Sequence, residues 1–496
     1  MVSRRVYCSI FQKVVVGALV SASLCQPGIA QESFDTVVLH GRVMDPETNL
    51  DAVRNIGIRH GKISMITRME LHGKTVIDAS GLIVAPGFID LHEHGQDPYN
   101  QGFKARDGVT SALDLEGGTY DIDRWYSQRA GKALINFGSS INFSAARVAV
   151  FEGEAAAESF VGPTVSGNAA HSQSSAAQIS EMMRIVERGL DRGAPGIGLG
   201  IAYVPGTSHE EVLDLFRVAA RYKTTIHVHM RFTGGREPDS VIDSLDEVLA
   251  DAAMTGAPLH IVHISGMALG QSELGLRMIS DARSHGVDVT TEAYPYTAAM
   301  TDISSAVFDT GWQQMFGIDY ADLQWTATGE RLTAESFVRY RKLGGMVVIH
   351  AIPEDTVRAV LACPLTMIAS DGLLQSNGTG HPRGAGTFAR VLGYYVRENH
   401  TLSLMEALRR MTIMPAKRLE VHSPMMKYKG RIQVGADADI TIFNKNTVID
   451  RATFEQPALP SAGIPYVLVS GVIVVKDGET VDGVYPGVAI RAPIRP

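Results

Sequence analysis

An apolar run, Gly87-Phe88-Ile89-Asp90-Leu91-His92-Glu93-His94, ends in two histidines two residues apart. Alternate residues of a β-strand face the same side, so His92 and His94 point together. Alone, such a pair is ordinary. Four further runs repeat the theme: 109–116 carries Asp114 and Glu116 on one face, 224–230 carries His227 and His229, 259–265 carries His260 and His263, and 365–371 ends at Asp371. Neutral imidazole and carboxylate oxygen are ligands for zinc and similar divalent ions. Five strand ends supplying them together predict a metal site. A bound divalent ion acidifies its water and polarises a carbonyl, and amide hydrolysis needs both effects.

These ends need a scaffold that gathers them. Residues 85–418 alternate strand-like and helix-like runs, with eight strand candidates near 87–94, 109–116, 133–140, 196–201, 224–230, 259–265, 288–296 and 365–371. The pattern predicts a (β/α)8 TIM-like barrel, whose catalytic groups collect at the C-terminal mouth. One helix is plain from Ile179, Met182, Met183, Val186 and Leu190, spaced to cover one face of a sheet. The gap before the last strand exceeds one loop and helix, so about 300–348 is expected to form a lid insertion containing Trp312 and Trp325. Short β-prone runs broken by glycine at 36–43, 56–63, 439–443 and 466–475 predict a small β-sandwich domain built from both termini, 31–84 and 419–496.

Composition narrows the rest. The 496 residues are 45% hydrophobic and 20% charged with a net charge of −8, which excludes disorder and gives no footprint for nucleic acid. Residues 1–30 carry Arg4, Arg5 and Lys13 but no acid, then an apolar run too short to span a bilayer, then small residues at Gly28 and Ala30. This is a signal-peptide pattern cut after Ala30. It implies an exported protein, periplasmic or secreted, with no stable membrane insertion. Removing the leader takes three cations, so the net charge becomes −11, and leaves Cys363 as the single cysteine. No internal disulfide can then form.

The order and context of the motifs resemble the metal-dependent amidohydrolase superfamily, and within it the N-acyl-D-amino-acid deacylase (D-aminoacylase) branch. The resemblance spans nearly all of the mature chain. Besides the histidine motifs it rests on Gly200-Ile201-Ala202-Tyr203-Val204-Pro205-Gly206, His229-Met230-Arg231, Tyr294-Pro295-Tyr296, Ser370-Asp371-Gly372, His381-Pro382-Arg383 and the run 386–393. It implies that His92 and His94 hold one metal and His229 and His263 another, with zinc the favoured ion, one or two per chain. His227 and His260 are the competing histidines. Asp371 would contact the first metal, accept the water proton and pass it to the leaving amine. Arg383 would clamp a substrate carboxylate, and Tyr203 and Tyr296 would line the pocket. Arg231 would either orient the ligand strand or touch substrate.

The chain departs from the branch at two points. Its members usually bridge the metals with a cysteine after strand two, and other superfamily members use a carboxylated lysine on strand four. Here Cys363 is remote and strand four, Gly196-Ile197-Gly198-Leu199-Gly200-Ile201, holds no lysine. Glu116 lies within one position of the cysteine's place and can give one oxygen to each metal, so it is the expected bridge; the alternative is a supporting role beside a single metal. The lysine that often follows the strand-six histidine is also missing, since the chain reads His263-Ile264-Ser265. The expected partner is a small amide bearing a carboxylate, an N-acyl-amino acid and in particular an N-acyl-D-amino acid. The alternatives are a dipeptidase or cyclic-amide hydrolase of the same superfamily, or a binding module without catalysis. The oligomeric state is left open.

Overall fold

The computed structural model describes residues 33–160, 164–235 and 237–495. The expected leader lies outside the described residues. Among these no helix is long and apolar enough to cross a membrane.

Eight parallel strands form the centre: Phe88–Asp90, Val109–Thr119, Asn136–Asn142, Gly196–Gly200, Thr225–His229, Leu259–Ile261, Val289–Ala293 and Thr366–Ile368. They pair in sequence order, each at a position expected for it, so the sheet curls into a barrel. The ladder stops between the first and eighth strands. Backbone bonds just beyond their ends complete the circle, with Asp371 N donating to His92 O (2.7 Å) and His94 N to Gly372 O (2.9 Å). Helices pack outside. Ala176–Asp191 starts in a capping box between Ser175 and Gln178 and buries Ile179, Met182, Ile185, Val186 and Leu190. Ile185 takes the place expected for Met183, which is only half-buried. Each such aliphatic side chain contributes about 1.5–3 kcal/mol by leaving water.

The two ends of the chain meet in one mixed sheet of nine strands. Ile83–Pro86 runs antiparallel to Ile440–Phe443, so the join between the N- and C-terminal pieces is itself a ladder. The last strand ends at Thr480, and the tail then leaves this sheet, where residues to 496 were expected to stay. Phe137 N donates to Val488 O (3.1 Å), Ile490 N to Phe137 O (2.7 Å) and Ala492 N to Gly193 O (3.0 Å). The third and fourth barrel strands pair only at Ile141–Ile197 and Asn142–Gly198. Below that level their backbone groups need partners, and the tail supplies them.

The insertion between the seventh and eighth strands is a small folded unit. Ala299–Asp302, Met346–Ile349 and Leu323–Trp325 form an antiparallel sheet with the middle member last in sequence. Trp312 stacks on Phe337 (5.3 Å) and Trp325 on Tyr340 (4.2 Å), so both tryptophans build the insertion's own core.

Candidate metal centre

The C-terminal ends of the barrel strands converge on Glu116. Its Oε2 lies 3.3 Å from His92 Nε2 and 3.2 Å from His94 Nε2. Asp371 Oδ1 is 3.5 Å and 3.4 Å from the same two nitrogens, which are 3.1 Å from each other. Ligands about 2.0–2.1 Å from a tetrahedral zinc-sized ion are separated by about 3.3–3.4 Å along each edge. The five distances, 3.1 to 3.5 Å, are close to such an edge. Two overlapping sets, His92 with His94 and Asp371 and His92 with Glu116 and His263, each bring one donor atom per residue within 4.8 Å of the others, room for a divalent ion. The other oxygen, Oε1, is 2.8 Å from His229 Nδ1 and 3.5 Å from His263 Nε2. Glu116 thus turns one oxygen toward each of two sets of donors.

Local structure explains this placement. The register of the second strand against the third shifts between Asp114 and Thr119, so Glu116 sits on a bulged segment turned toward the axis. Strand four lies against it. A Cβ on Gly198 would stand 2.4 Å from the Glu116 carbonyl oxygen, so strand four has no room here for any side chain, a lysine included. Asp371 and His263 both have positive φ, 52° and 31°, at the points where their strands break off. Strain of this kind is common at functional sites.

Two carboxylates orient the paired histidines. Glu292 Oε1 lies 2.7 Å from His92 Nδ1, and Asp114 Oδ1 lies 3.2 Å from His94 Nδ1. Each imidazole donates its Nδ1–H outward and presents Nε2 to the centre, the usual arrangement behind a metal ligand. Asp114 shares a strand face with Glu116 and was visible in the sequence. Glu292 was missed. Its only signal is an acid in the strand-like run Val289–Ala293, and its partners are 200 and 32 residues away. It also takes the Nε2–H of His260 (3.0 Å).

Electrostatics match the donor set. Burial pushes the Glu116 carboxyl up, but His92, His229 and His263 hold it well below the usual range. Burial acts on Asp371 the same way, and Arg383 with His92 reverses it, leaving the group ionised. Burial resists a charge on His92, yet Asp371 and Glu116 raise it to about 10 in the metal-free centre. Burial lowers His227, His260 and His263, keeping those rings neutral.

His227 and His260 are not brought to the donors. They pack against each other at a tilt on neighbouring strands one layer deeper in the barrel, ring centres 5.1 Å apart, and His260 is held by Thr290 and Glu292. A cavity of about 680 Å³ opens over the centre, bounded by Asp371, Arg383, Tyr203, Tyr294, Met300 and Thr301 among others. Arg383 is buried, with Nη2 2.9 Å from Asp371 Oδ2 and its Nε and Nη1 without partners among the described residues. Tyr203 packs on His229 (4.8 Å). Tyr296 does not line the cavity. Its hydroxyl points at Pro382 O (3.4 Å) and Asp450 Oδ2 (3.5 Å), while Tyr294 lies under Arg383 and faces the cavity. The seventh strand ends at Ala293, and in the segment that follows it Tyr294 takes the cavity-facing place that the resemblance implied for Tyr296. Arg231 is committed to Glu247 through two bonds (2.7 and 3.0 Å) and orients its loop. Cys363 caps the helix Glu354–Ala362 and, among the described residues, joins none of the donor groups.

A parallel eight-stranded barrel carrying this donor set at its C-terminal mouth defines a metal-dependent hydrolase. The chain belongs to the amidohydrolase family, whose sequence profile matches residues 165–475. Among curated relatives, N-acyl-D-glutamate deacylase of Alcaligenes xylosoxydans xylosoxydans is 33% identical over 475 residues, covering 89% of this chain and 93% of the relative. D-aminoacylase from the same organism is 29% identical over 484 residues, covering 89% and 94%. Among solved structures, N-acyl-D-glutamate deacylase from Bordetella bronchiseptica, complexed with zinc and a phosphonate mimic of the tetrahedral intermediate, is similar at a TM-score of 0.77 and 27% identity. That match covers 93% of this chain and all of the other.

Proposed function

We propose that this protein hydrolyses the amide bond of N-acyl-amino acids, N-acyl-D-amino acids in particular, releasing a carboxylate and a free amino acid. The observation that carries the reading is Arg383, a buried guanidinium with two nitrogens unpartnered among the described residues, beside Asp371 in the cavity over the donor groups. A planar guanidinium pairs a carboxylate through parallel hydrogen bonds, so the substrate bears one close to the scissile amide. The similarity to deacylases over about nine-tenths of the chain supports the same class.

His92, His94, Glu116 and Asp371 would hold one divalent ion, and Glu116, His229 and His263 a second. Zinc is our choice, as in the Bordetella bronchiseptica relative. A divalent ion there supplies Lewis-acid polarisation of the amide carbonyl and a water that loses its proton near neutral pH. Asp371, held ionised, takes that proton as oxygen adds to the carbonyl carbon. It then delivers the proton to the amide nitrogen as the C–N bond breaks. Arg383 and Tyr294 orient the amino-acid end, and Tyr203 packs beside His229. We also infer export after cleavage following Ala30, which the N-terminal mass of the protein from culture would test.

The functional test is turnover by zinc-loaded protein on N-acyl-D-amino acids, their L-isomers, dipeptides and hydantoins. The reading expects the N-acyl-D-amino acids to lead. Faster hydrolysis of hydantoins or dipeptides would replace it with the cyclic-amide or dipeptidase alternative.

A further inference from the structure

The cavity extends beyond the donor groups in two directions. On one side stand Arg383, Tyr294 and the insertion residues Met300 and Thr301. On the other it reaches the helix Ile122–Arg129, which follows the second strand, where Trp125, Gln128 and Arg129 form its wall. Its 680 Å³ is the size of a site for a drug-sized ligand, well above what a simple acetyl-amino acid needs.

Arg129 is the unusual group there. Its guanidinium lies over the Trp125 ring (3.9 Å), Nη1 donates to Trp125 O (2.9 Å), and Nε is buried with no hydrogen-bond partner among the described residues. It makes no ion pair among the described residues. The carboxylates nearest in influence are engaged elsewhere: Asp97 caps the helix Pro98–Arg106 and binds Asn100, and Asp114 holds His94 and the Gly117 amide. A half-buried guanidinium on a cavity wall, without an ion pair, is a ready partner for an anion. Arg124, by contrast, already faces Glu158 (3.6 Å).

We propose that Arg129 forms a subsite for a free carboxylate on the acyl group, so that N-acyl-amino acids with dicarboxylic acyl chains, such as succinyl, are the preferred substrates. The assignment to the acyl side rests on the deacylase reading. An amide over the donor groups with its amino-acid carboxylate on Arg383 extends its acyl chain away from strands seven and eight, toward the helix after strand two.

The test measures binding of analogues in which a methylene replaces the scissile carbonyl, by calorimetry on zinc-loaded protein. N-carboxypropyl-D-leucine should bind about tenfold or more tightly than N-butyl-D-leucine, as one charge-assisted pair is worth. Arg129→Met should abolish that advantage and Arg129→Lys retain part of it. An advantage that is absent in the wild type, or that survives in Arg129→Met, overturns the proposal. So does an Arg129→Met effect that appears instead between N-butyl-D-glutamate and N-butyl-D-leucine, which would place the amino-acid side chain at Arg129. These analogues are not hydrolysed, so a failed deacylase reading shows separately, as absent hydrolysis of the parent amides.

Discussion

Nη2 of Arg383 stands 2.9 Å from Oδ2 of Asp371, joining the cation assigned to the substrate carboxylate with the group assigned to proton transfer. Arg383→Met should raise KM for N-acyl-D-amino acids roughly 10- to 100-fold, the worth of hydrogen bonds to a charged partner. Removing the cation also removes the largest of the charges that hold the Asp371 carboxyl low. The acid limb of the kcat/KM profile should therefore move to higher pH. A variant with unchanged KM would dissociate Arg383 from substrate.

Glu116 turns Oε2 toward His92 and His94 and Oε1 toward His229 and His263. Glu116→Gln keeps the shape but gives up the charge and one oxygen acceptor. Metal per chain, read by mass spectrometry, should fall, and turnover with it by about a hundredfold or more. Unchanged metal content and turnover would remove Glu116 from the ligand set.

Glu292 never faces the cavity, yet it fixes His92 and His260 together. Glu292→Gln should weaken zinc affinity about 10- to 100-fold, as loss of such a partner generally does. Competition with a chromogenic chelator measures it, and Glu292→Asp should recover part of the loss.

Zinc binding should strengthen with pH over a defined window. In the metal-free centre Asp371 and Glu116 lift His92 from its ordinary 6.5 to about 10. A raised imidazole stabilises the fold fully below 6.5, and that contribution is lost as pH climbs toward 10. Metal binding requires the neutral ring and expels the proton. The Tm gained on zinc loading should thus grow between about pH 6.5 and 9. A gain that is flat across this range would contradict the assignment.

Lys104 forms a buried clasp behind the site. Its Nζ lies 2.7 Å from Glu93 Oε2, 3.4 Å from Asp90 Oδ2 and 3.3 Å from the Arg383 carbonyl, all in full burial. A Cβ on Gly372 would meet Glu93 at 2.3 Å and Lys104 at 2.7 Å, so the turn beside Asp371 closes on this pair. Lys104→Met leaves Glu93 unpaired and should cost about 3–5 kcal/mol in denaturant unfolding. The double variant Lys104→Met/Glu93→Leu should recover much of it.

Local chemistry was legible from residue order. Period-two spacing put His92 with His94, and Asp114 with Glu116, on common faces, and apolar runs marked all eight barrel strands. The missing cysteine and lysine pointed to Glu116 before any distance was known. What the tertiary structure alone decided depends on register between distant segments. Strand pairing selects His229 and His263 over His227 and His260 by depth in the barrel. It sets Glu292 behind His92 across 200 residues, and turns Tyr294 rather than Tyr296 to the cavity once the strand has ended. It also sends the tail to strand three, where open backbone groups need partners. Side-chain alternation is a property of a few consecutive residues. Depth, second partners and edge completion belong to contacts between elements, and no local pattern encodes them.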